Sequence, residues 1–139
     1  MSLFVLDTDI LSLWQHGHPS VSARVSACNP SELAITVITV QEQLDGWHAQ
    51  LNRGKDHQHT AALYQRLANT VRFLARVQII NFSEAAIARY EMLRSFKLNI
   101  GKMDLRIAAI VLEHDAILVT RNSRDFARIA GLQFEDWAA

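Results

Sequence analysis

Four acidic residues have the types and spacing that could assemble one reactive site: Asp7, Glu42, Asp104 and Asp125. Carboxylates about 4 Å apart repel by roughly 4 kcal/mol per pair at an effective dielectric near 20, so several stay ionised together only around a cation. Oxygen ligands without a Cys or His partner select a hard ion, Mg²⁺ or Mn²⁺. Such an ion bridges phosphate oxygens and lowers the pKa of a bound water, so the set points to metal-assisted phosphodiester hydrolysis.

Each acid also has a simpler interpretation when it is considered alone. Asp104 or Asp125 in a first helical turn could merely complement the helix dipole. Glu42 lies roughly opposite the apolar stripe of its helix, as a solvated Glu would. Asp7 is the hardest to explain in this way, because an acid at the end of a buried strand needs a partner. The functional hypothesis therefore depends on all four acids meeting.

Short apolar runs alternate with longer helical patterns along the chain. Strands are predicted over 3–6, 33–35, 77–82, 116–120 and 132–137, the last as an edge strand. Helices are predicted over 10–14, 19–27, 37–51, 61–74, 84–97, 107–112 and 123–130. Thr36 and Ser83 have the side chains expected of N-caps, and Asp9 is read as a cap rather than a ligand.

This alternation predicts a three-layer α/β/α domain spanning residues 1–139, with a mostly parallel sheet of about five strands. Ligands of such sheets bind beyond the carboxyl ends of the strands. Asp7 ends the first strand, and the other three acids follow later strands or begin helices near them. All four are therefore expected at one edge of the sheet.

Composition narrows the class of protein. The 139 residues carry 14 Lys and Arg against 14 Asp and Glu, so no global field draws the chain to a polyanion. Cys28 is the only cysteine, which excludes an intramolecular disulfide and fits a reducing compartment. No stretch approaches membrane-spanning length, and a cytoplasmic location with no membrane partner is expected.

Four segments together resemble a known family: "VLDTDIL", "ITVITVQEQLDGW", "GKMDLRIAAI" and "LVTRNSRDF…IAGL…W". They resemble, in order, the blocks of PIN-domain nucleases, most of all the VapC-type toxins of bacterial toxin–antitoxin pairs. The resemblance implies a PIN-like fold, a Mg²⁺- or Mn²⁺-dependent endoribonuclease acting on transfer or ribosomal RNA, a homodimer and inhibition by an antitoxin protein. By position, Asp7, Glu42 and Asp104 match the first three acids of the family.

The fourth acidic position is ambiguous. Many relatives place an acid where this chain has Asn122, and others use one where Asp125 stands. A carboxylate neutralises Mg²⁺ where an amide cannot, so we expect Asp125 to be the metal ligand. Asn122 would then orient a water or a phosphate.

Other residues are assigned supporting roles. Thr8 and Thr120, at strand ends, could orient a metal-bound water, although turn hydrogen bonds are the simpler role. Lys102 and Arg121 are the preferred contacts to RNA phosphates. Trp47 is expected in the core, on the apolar stripe of its helix. His57 and His59 alternate in a predicted polar loop and are assigned no metal.

Two other functions remain open from the residues. "LDTDI" could begin a haloacid-dehalogenase-type phosphatase, with a nucleophilic Asp and a general acid two residues later. That scheme also needs a paired acid motif after a later strand, and "LVTRNSRD" lacks one. Alternatively, the domain could have lost catalysis and serve as an RNA- or partner-binding module.

Overall fold

A five-stranded parallel sheet forms the centre of the molecule in the computed structural model, which describes residues 2–54 and 56–139. The strands are β1 (Phe4–Leu6), β2 (Leu33–Thr36), β3 (Gln78–Ile80), β4 (Ile117–Val119) and β5 (Gln133–Glu135). Their order across the sheet is β3-β2-β1-β4-β5, and every pairing is parallel. The predicted strands and the edge position of the last one are confirmed.

Seven helices connect the strands within the described residues: α1 (Thr8–Gln15), α2 (Pro19–Ser26), α3 (Val37–Asn52), α4 (His57–Leu74), α5 (Glu84–Ser95), α6 (Lys102–Glu113) and α7 (Ser123–Phe126). A 3-10 turn at Pro30–Glu32 precedes β2. The first strand is central, so the chain crosses over in both directions from it. The carboxyl ends of β1 and β4 therefore lie side by side in the middle of the sheet, which is where a ligand site is expected.

The side chains of each strand alternate between two separate cores, as the period of two in a strand requires. Val5, Ala34 and Leu118 point into a core shared with α5 and α6. Leu6, Ile35 and Val119 point to the other face, into a core that contains residues of α1 and α2 and the fully buried Trp137. Helices thus cover both faces of the sheet, and the predicted three-layer α/β/α fold is confirmed.

Side-chain caps fix where several helices begin. The Thr36 hydroxyl accepts a hydrogen bond from the Thr39 N–H and Ser83 caps α5, both as predicted. Three helices begin earlier than their apolar patterns suggested, the first of them α1, which begins at Thr8 rather than at 10. Asp56 accepts a hydrogen bond from the His59 N–H at 2.7 Å, so α4 already begins at His57. Helix α6 begins directly after Gly101, at Lys102 rather than at 107.

The early start of α4 corrects the assignment of His57 and His59 to a polar loop. Both lie in its first helical turn and are exposed. A capping aspartate was sufficient to extend the helix because its carboxylate satisfies an N–H that would otherwise have no partner.

The apolar stripe of α3 is less buried than predicted. The residues of α3 that are fully buried are Ile38 and Thr39, whereas Leu44 is exposed and Trp47 is half-buried. The prediction that Trp47 is a core residue is therefore wrong. Only the first turn of α3 reaches the interior. The rest of the helix packs against α4, and its other side is exposed.

None of the helices in the described ranges combines the length and the apolar character needed to cross a membrane.

Candidate active site

Asp7 lies at the junction of β1 and α1, where the backbone leaves the sheet. Its N–H donates to the carbonyl of Val119 at 3.0 Å, which ties the end of β1 to the end of β4. Its carboxylate accepts a hydrogen bond from the Ile10 N–H at 2.9 Å and caps α1. Asp7 is thus the N-cap, and the prediction that Asp9 has this role is wrong: Asp9 lies in the first turn and is exposed.

Asp7 is 6% exposed, and the pKa of its carboxyl group is raised to about 6. Burial is the main cause, because the interior solvates the ionised form poorly. Hydrogen bonding by the Thr120 side chain and the Ile10 N–H lowers the pKa in part, while the charges of Asp9 and Asp104 raise it further. No basic side chain among the described residues offsets this burial. Asp7 is therefore a buried acid that lacks a cationic partner.

Glu42 reaches the same edge from the second turn of α3. The Thr8 hydroxyl donates to its Oε1 at 2.7 Å, and the Thr39 hydroxyl lies 3.2 Å from that of Thr8. Because Thr8 follows Asp7 directly in the chain, the residue that holds Glu42 lies beside the buried acid. Thr8 was expected to orient a water, and the contact it makes here is with Glu42 itself.

Asp104 faces the other acids from the first turn of α6. The pKa of its carboxyl is raised, first by burial and then by the negative charges of Glu42, Asp9 and Asp125. Acidic residues that are far apart in the sequence therefore interact electrostatically at this edge of the sheet. The capping residue, Gly101, provides no side chain to the helix terminus.

The fourth position is occupied by a hydrogen-bonded pair. The amide of Asn122 donates to Asp125 Oδ2 at 2.9 Å, and the Asn122 N–H donates to the Thr120 hydroxyl at 2.9 Å. Arg128 Nη1 lies 3.4 Å from Asp125 Oδ1 in an exposed ion pair. Asn122 and Arg128 therefore both hold Asp125, and Thr120 connects this pair to Asp7.

The structure brings the predicted acids to one edge of the sheet. The buried polar residues among the described ones also lie at this edge: Asp7, Thr36, Thr39 and Thr120. No three acidic, histidine or cysteine side chains of the described ranges are close enough, as they stand, to hold a metal ion together. The donor set nevertheless fits a hard cation, because it consists of carboxyl oxygens and its two most buried members are disfavoured as anions.

The basic residues assigned to phosphate binding lie near this edge but outside it. Lys102 is exposed in the first turn of α6, and Arg121 is exposed directly after β4. Neither forms an ion pair with another described residue. Both are thus accessible to a ligand that approaches the acids.

Two residues of the site were not assigned to it from the sequence. Asp9 acts on both Asp7 and Asp104, and the Asp-Thr-Asp spacing could have indicated this. Arg128 pairs with Asp125 and also donates to the carbonyls of Leu98 and Asn99 at 3.3 and 3.1 Å. That contact joins α7 to the loop before α6, and nothing local in the sequence reveals it.

Comparison with known proteins gives one consistent family. A family model described as PIN domain matches residues 4–132. The curated relative "Ribonuclease VapC1" of Haemophilus influenzae is 29% identical over 97% of this chain and 98% of its own length. "tRNA(fMet)-specific endonuclease VapC" of Shigella flexneri is 27% identical over 99% and 100%. A solved toxin–antitoxin complex from Klebsiella pneumoniae contains a chain that is 29% identical, with a TM-score of 0.69 over 92% of this chain and 93% of that one.

Proposed function

Because this chain belongs to the PIN domain family, we propose that it is an endoribonuclease dependent on Mg²⁺ or Mn²⁺ and the toxin of a toxin–antitoxin pair. Its relatives are described as a ribonuclease and a tRNA-specific endonuclease, and transfer RNA or a ribosomal RNA loop is the proposed substrate. The phosphatase alternative is set aside, because the family match covers residues 4–132 and the curated relatives are named as ribonucleases.

One observation carries the proposal. The pKa of Asp104 is raised by Glu42, Asp9 and Asp125, and the pKa of Asp7 by Asp9 and Asp104, so acids from four segments share one electrostatic environment. Repulsion between these acids does not stabilise the folded protein. A cation drawn into this environment would relieve it, and the burial of Asp7 would strengthen the attraction.

The position of each residue indicates either a role as a metal ligand or a role in holding a ligand in place. Asp7, Glu42, Asp104 and Asp125 are the proposed ligands, and a bound Mg²⁺ or Mn²⁺ would neutralise phosphate charge and acidify water. Thr8 holds Glu42 in place, and Asn122 holds Asp125. The Thr120 hydroxyl accepts from the Asn122 N–H and lowers the pKa of Asp7, so Thr120 lies between Asp7 and the Asn122–Asp125 pair.

Two further groups complete the proposed substrate site. Lys102 on α6 and Arg121 after β4 are the proposed contacts to RNA phosphates, and their exposed side chains support this role. Their contact would fix the register of the RNA without reading its sequence. The RNA backbone would therefore cross the edge of the sheet above Asp7.

The proposed partners follow from the relatives. The chain from Klebsiella pneumoniae is part of a toxin–antitoxin complex, which supports a cognate antitoxin protein for this chain. A homodimer is proposed on the family resemblance. A cytoplasmic location is part of the same proposal, and the single cysteine of the chain supports it.

The test is to induce the wild type and Asp7→Asn in bacterial cells and to sequence the RNA ends. We expect new ends at defined sites in the wild type alone, carrying 5′-phosphate and 3′-hydroxyl groups. Purified protein should produce the same ends with Mg²⁺ or Mn²⁺ and none in EDTA. Ends with 2′,3′-cyclic phosphate, or full activity in EDTA, would contradict the mechanism, and no new ends with RNA still bound would indicate a binding module.

A further inference from the structure

A groove of about 780 Å³ opens beside Glu42, between α1, α3 and α4. Thr8, Ser12 and Gln15 line it from α1 at the i, i+4, i+7 spacing of a single helical face. This face extends over about 10 Å from the acids, at 1.5 Å per residue. Because Thr8 and Glu42 belong to both, the groove is continuous with the candidate active site.

Two glutamines bridge the groove. Gln15 Nε2 donates to Gln43 Oε1 at 3.0 Å, and Gln43 Nε2 donates to Gln15 Oε1 at 2.8 Å. This reciprocal pair uses one N–H and one oxygen lone pair of each amide. The second N–H of one amide therefore lies beside the second lone pair of the other. The edge of the pair presents a donor next to an acceptor, which is the pattern that a nucleobase edge satisfies.

Gly46 keeps the middle of the groove open. It lies inside α3, where glycine is unfavourable, and an added Cβ there would meet no atom within 4 Å. An alanine would therefore be tolerated by the fold and would be better for the helix, whereas a longer side chain would extend into the groove. The open space is on the side that faces the groove.

The groove also offers a flat aromatic surface and a positive charge. The indole N–H of Trp47 donates to the Thr70 hydroxyl at 3.0 Å, which fixes the ring in the groove wall. Arg66 on α4 is exposed at the same groove and forms no ion pair with another described residue. In a bound nucleotide, the aromatic ring would stack on the base and the paired amides would contact the edge of the base. The guanidinium would contact the phosphate.

We propose that this groove binds an unpaired nucleotide of the RNA next to the scissile phosphate, with the Gln15–Gln43 pair contacting the edge of its base. This inference rests on the proposed ribonuclease function and adds the part of the protein that selects the cleavage site. Single-stranded loops are the regions of RNA in which base edges are accessible to side chains. The substrate would thus be cut in or beside a loop.

An RNA strand fits the groove better than a protein segment does. The groove begins at Glu42, so a strand whose phosphate reaches the acids continues into it. Its neutral amides and the guanidinium of Arg66 match the chemistry of a nucleotide. Binding of an antitoxin segment in the groove is the competing outcome that the experiment must separate.

The experiment uses hairpin RNAs whose single-stranded loop is randomised. Cleavage by the wild type, Gln43→Ala and Gly46→Leu is followed by sequencing of the new ends. Binding of the same RNAs is measured in the cleavage-deficient Asp104→Asn background, so that it does not depend on catalysis. Gln41→Ala and Ala49→Leu are the matched controls, because both residues are exposed on α3 and lie outside the groove.

We expect the wild type and both controls to prefer one base at a fixed position from the cut. Gln43→Ala should reduce this preference about tenfold or more. Gly46→Leu should raise both KM and Kd for the RNAs while the protein remains folded. An unchanged base preference in both groove variants would overturn the inference, and it is the result expected if an antitoxin segment occupies the groove instead. If neither the wild type nor any variant cleaves the RNAs, but binding still shows the base preference and its loss in Gln43→Ala, only the proposed ribonuclease function is contradicted.

Discussion

The two faces of the sheet and its carboxyl edge are built on opposite principles. The faces bury the apolar side chains of both clusters. The carboxyl edge contains every buried polar residue in the described ranges, and one of these is Asp7, a carboxyl group held against its preference for water. The difference indicates that the faces provide the stability of the fold, whereas the carboxyl edge holds acidic groups at a cost in stability, as the proposed cation site would require.

The largest expected effect separates activity from stability at the edge. Asp104→Asn should lower RNA cleavage by at least about 100-fold, because it removes a proposed ligand. The melting temperature of the metal-free protein should be unchanged or higher, because repulsion with Glu42, Asp9 and Asp125 is relieved. Asp115→Asn is the matched control: this acid is exposed in a turn with φ of 48°, which asparagine tolerates. A clear loss of melting temperature in Asp104→Asn would make Asp104 a structural residue.

The pH dependence of stability tests the burial of Asp7. Its pKa is about 6 in the folded protein against 3.8 in the unfolded chain, so the folded state binds more protons between these values. The stability of the metal-free protein should therefore fall as pH rises from about 4 to 6, by up to about 3 kcal/mol.

Asp7→Asn should remove this decrease, since asparagine caps a helix as well as aspartate does. Urea unfolding of both proteins at several pH values measures the effect. If the stability of the wild type rises over this pH range and Asp7→Asn follows the same curve, folding does not raise the pKa of Asp7.

The fourth acidic position can be resolved by comparing two truncations. Asp125→Ala should lower cleavage at limiting Mg²⁺ by about 10- to 100-fold, and added Mn²⁺ should restore part of it. Asn122→Ala should cost less, because Arg128 still contacts Asp125. Initial rates at several metal concentrations provide the measurement. If Asp125→Ala matches the wild type at limiting Mg²⁺, the centre has three acids only.

The smallest expected effect concerns the groove. Gly46→Ala should raise the free energy of unfolding by about 0.5–1 kcal/mol, because alanine is the better helix residue and its Cβ meets no neighbour. Ala49→Gly, at an exposed position of the same helix, should lower it by a similar amount. Denaturant unfolding of the two variants would show whether the groove, like the acidic edge, has been kept at a cost in stability. A decrease for Gly46→Ala would mean that the helix requires glycine there.

The sequence was sufficient to predict the alternation of strands and helices, because buried parallel strands appear as short apolar runs. It also predicted that Asp7, Glu42, Asp104 and Asp125 share an edge, since chain topology alone requires this. It was misleading for Asp9 and Trp47. A cap depends on which of two neighbouring carboxylates turns back to the helix, and the burial of a stripe depends on what covers it. The Gln15–Gln43 pair and the contacts of Arg128 join distant segments and have no local signal.

The most direct test of the account is the stabilisation of the purified protein by Mn²⁺. If the carboxyl edge is an incomplete cation site, Mn²⁺ at about 100 times its Kd should stabilise the wild type by about 2.7 kcal/mol. Asp115→Asn should gain as much, and Asp104→Asn clearly less. Equal gains in the wild type and Asp104→Asn, or no gain in either, would contradict the claim that these acids form a metal centre.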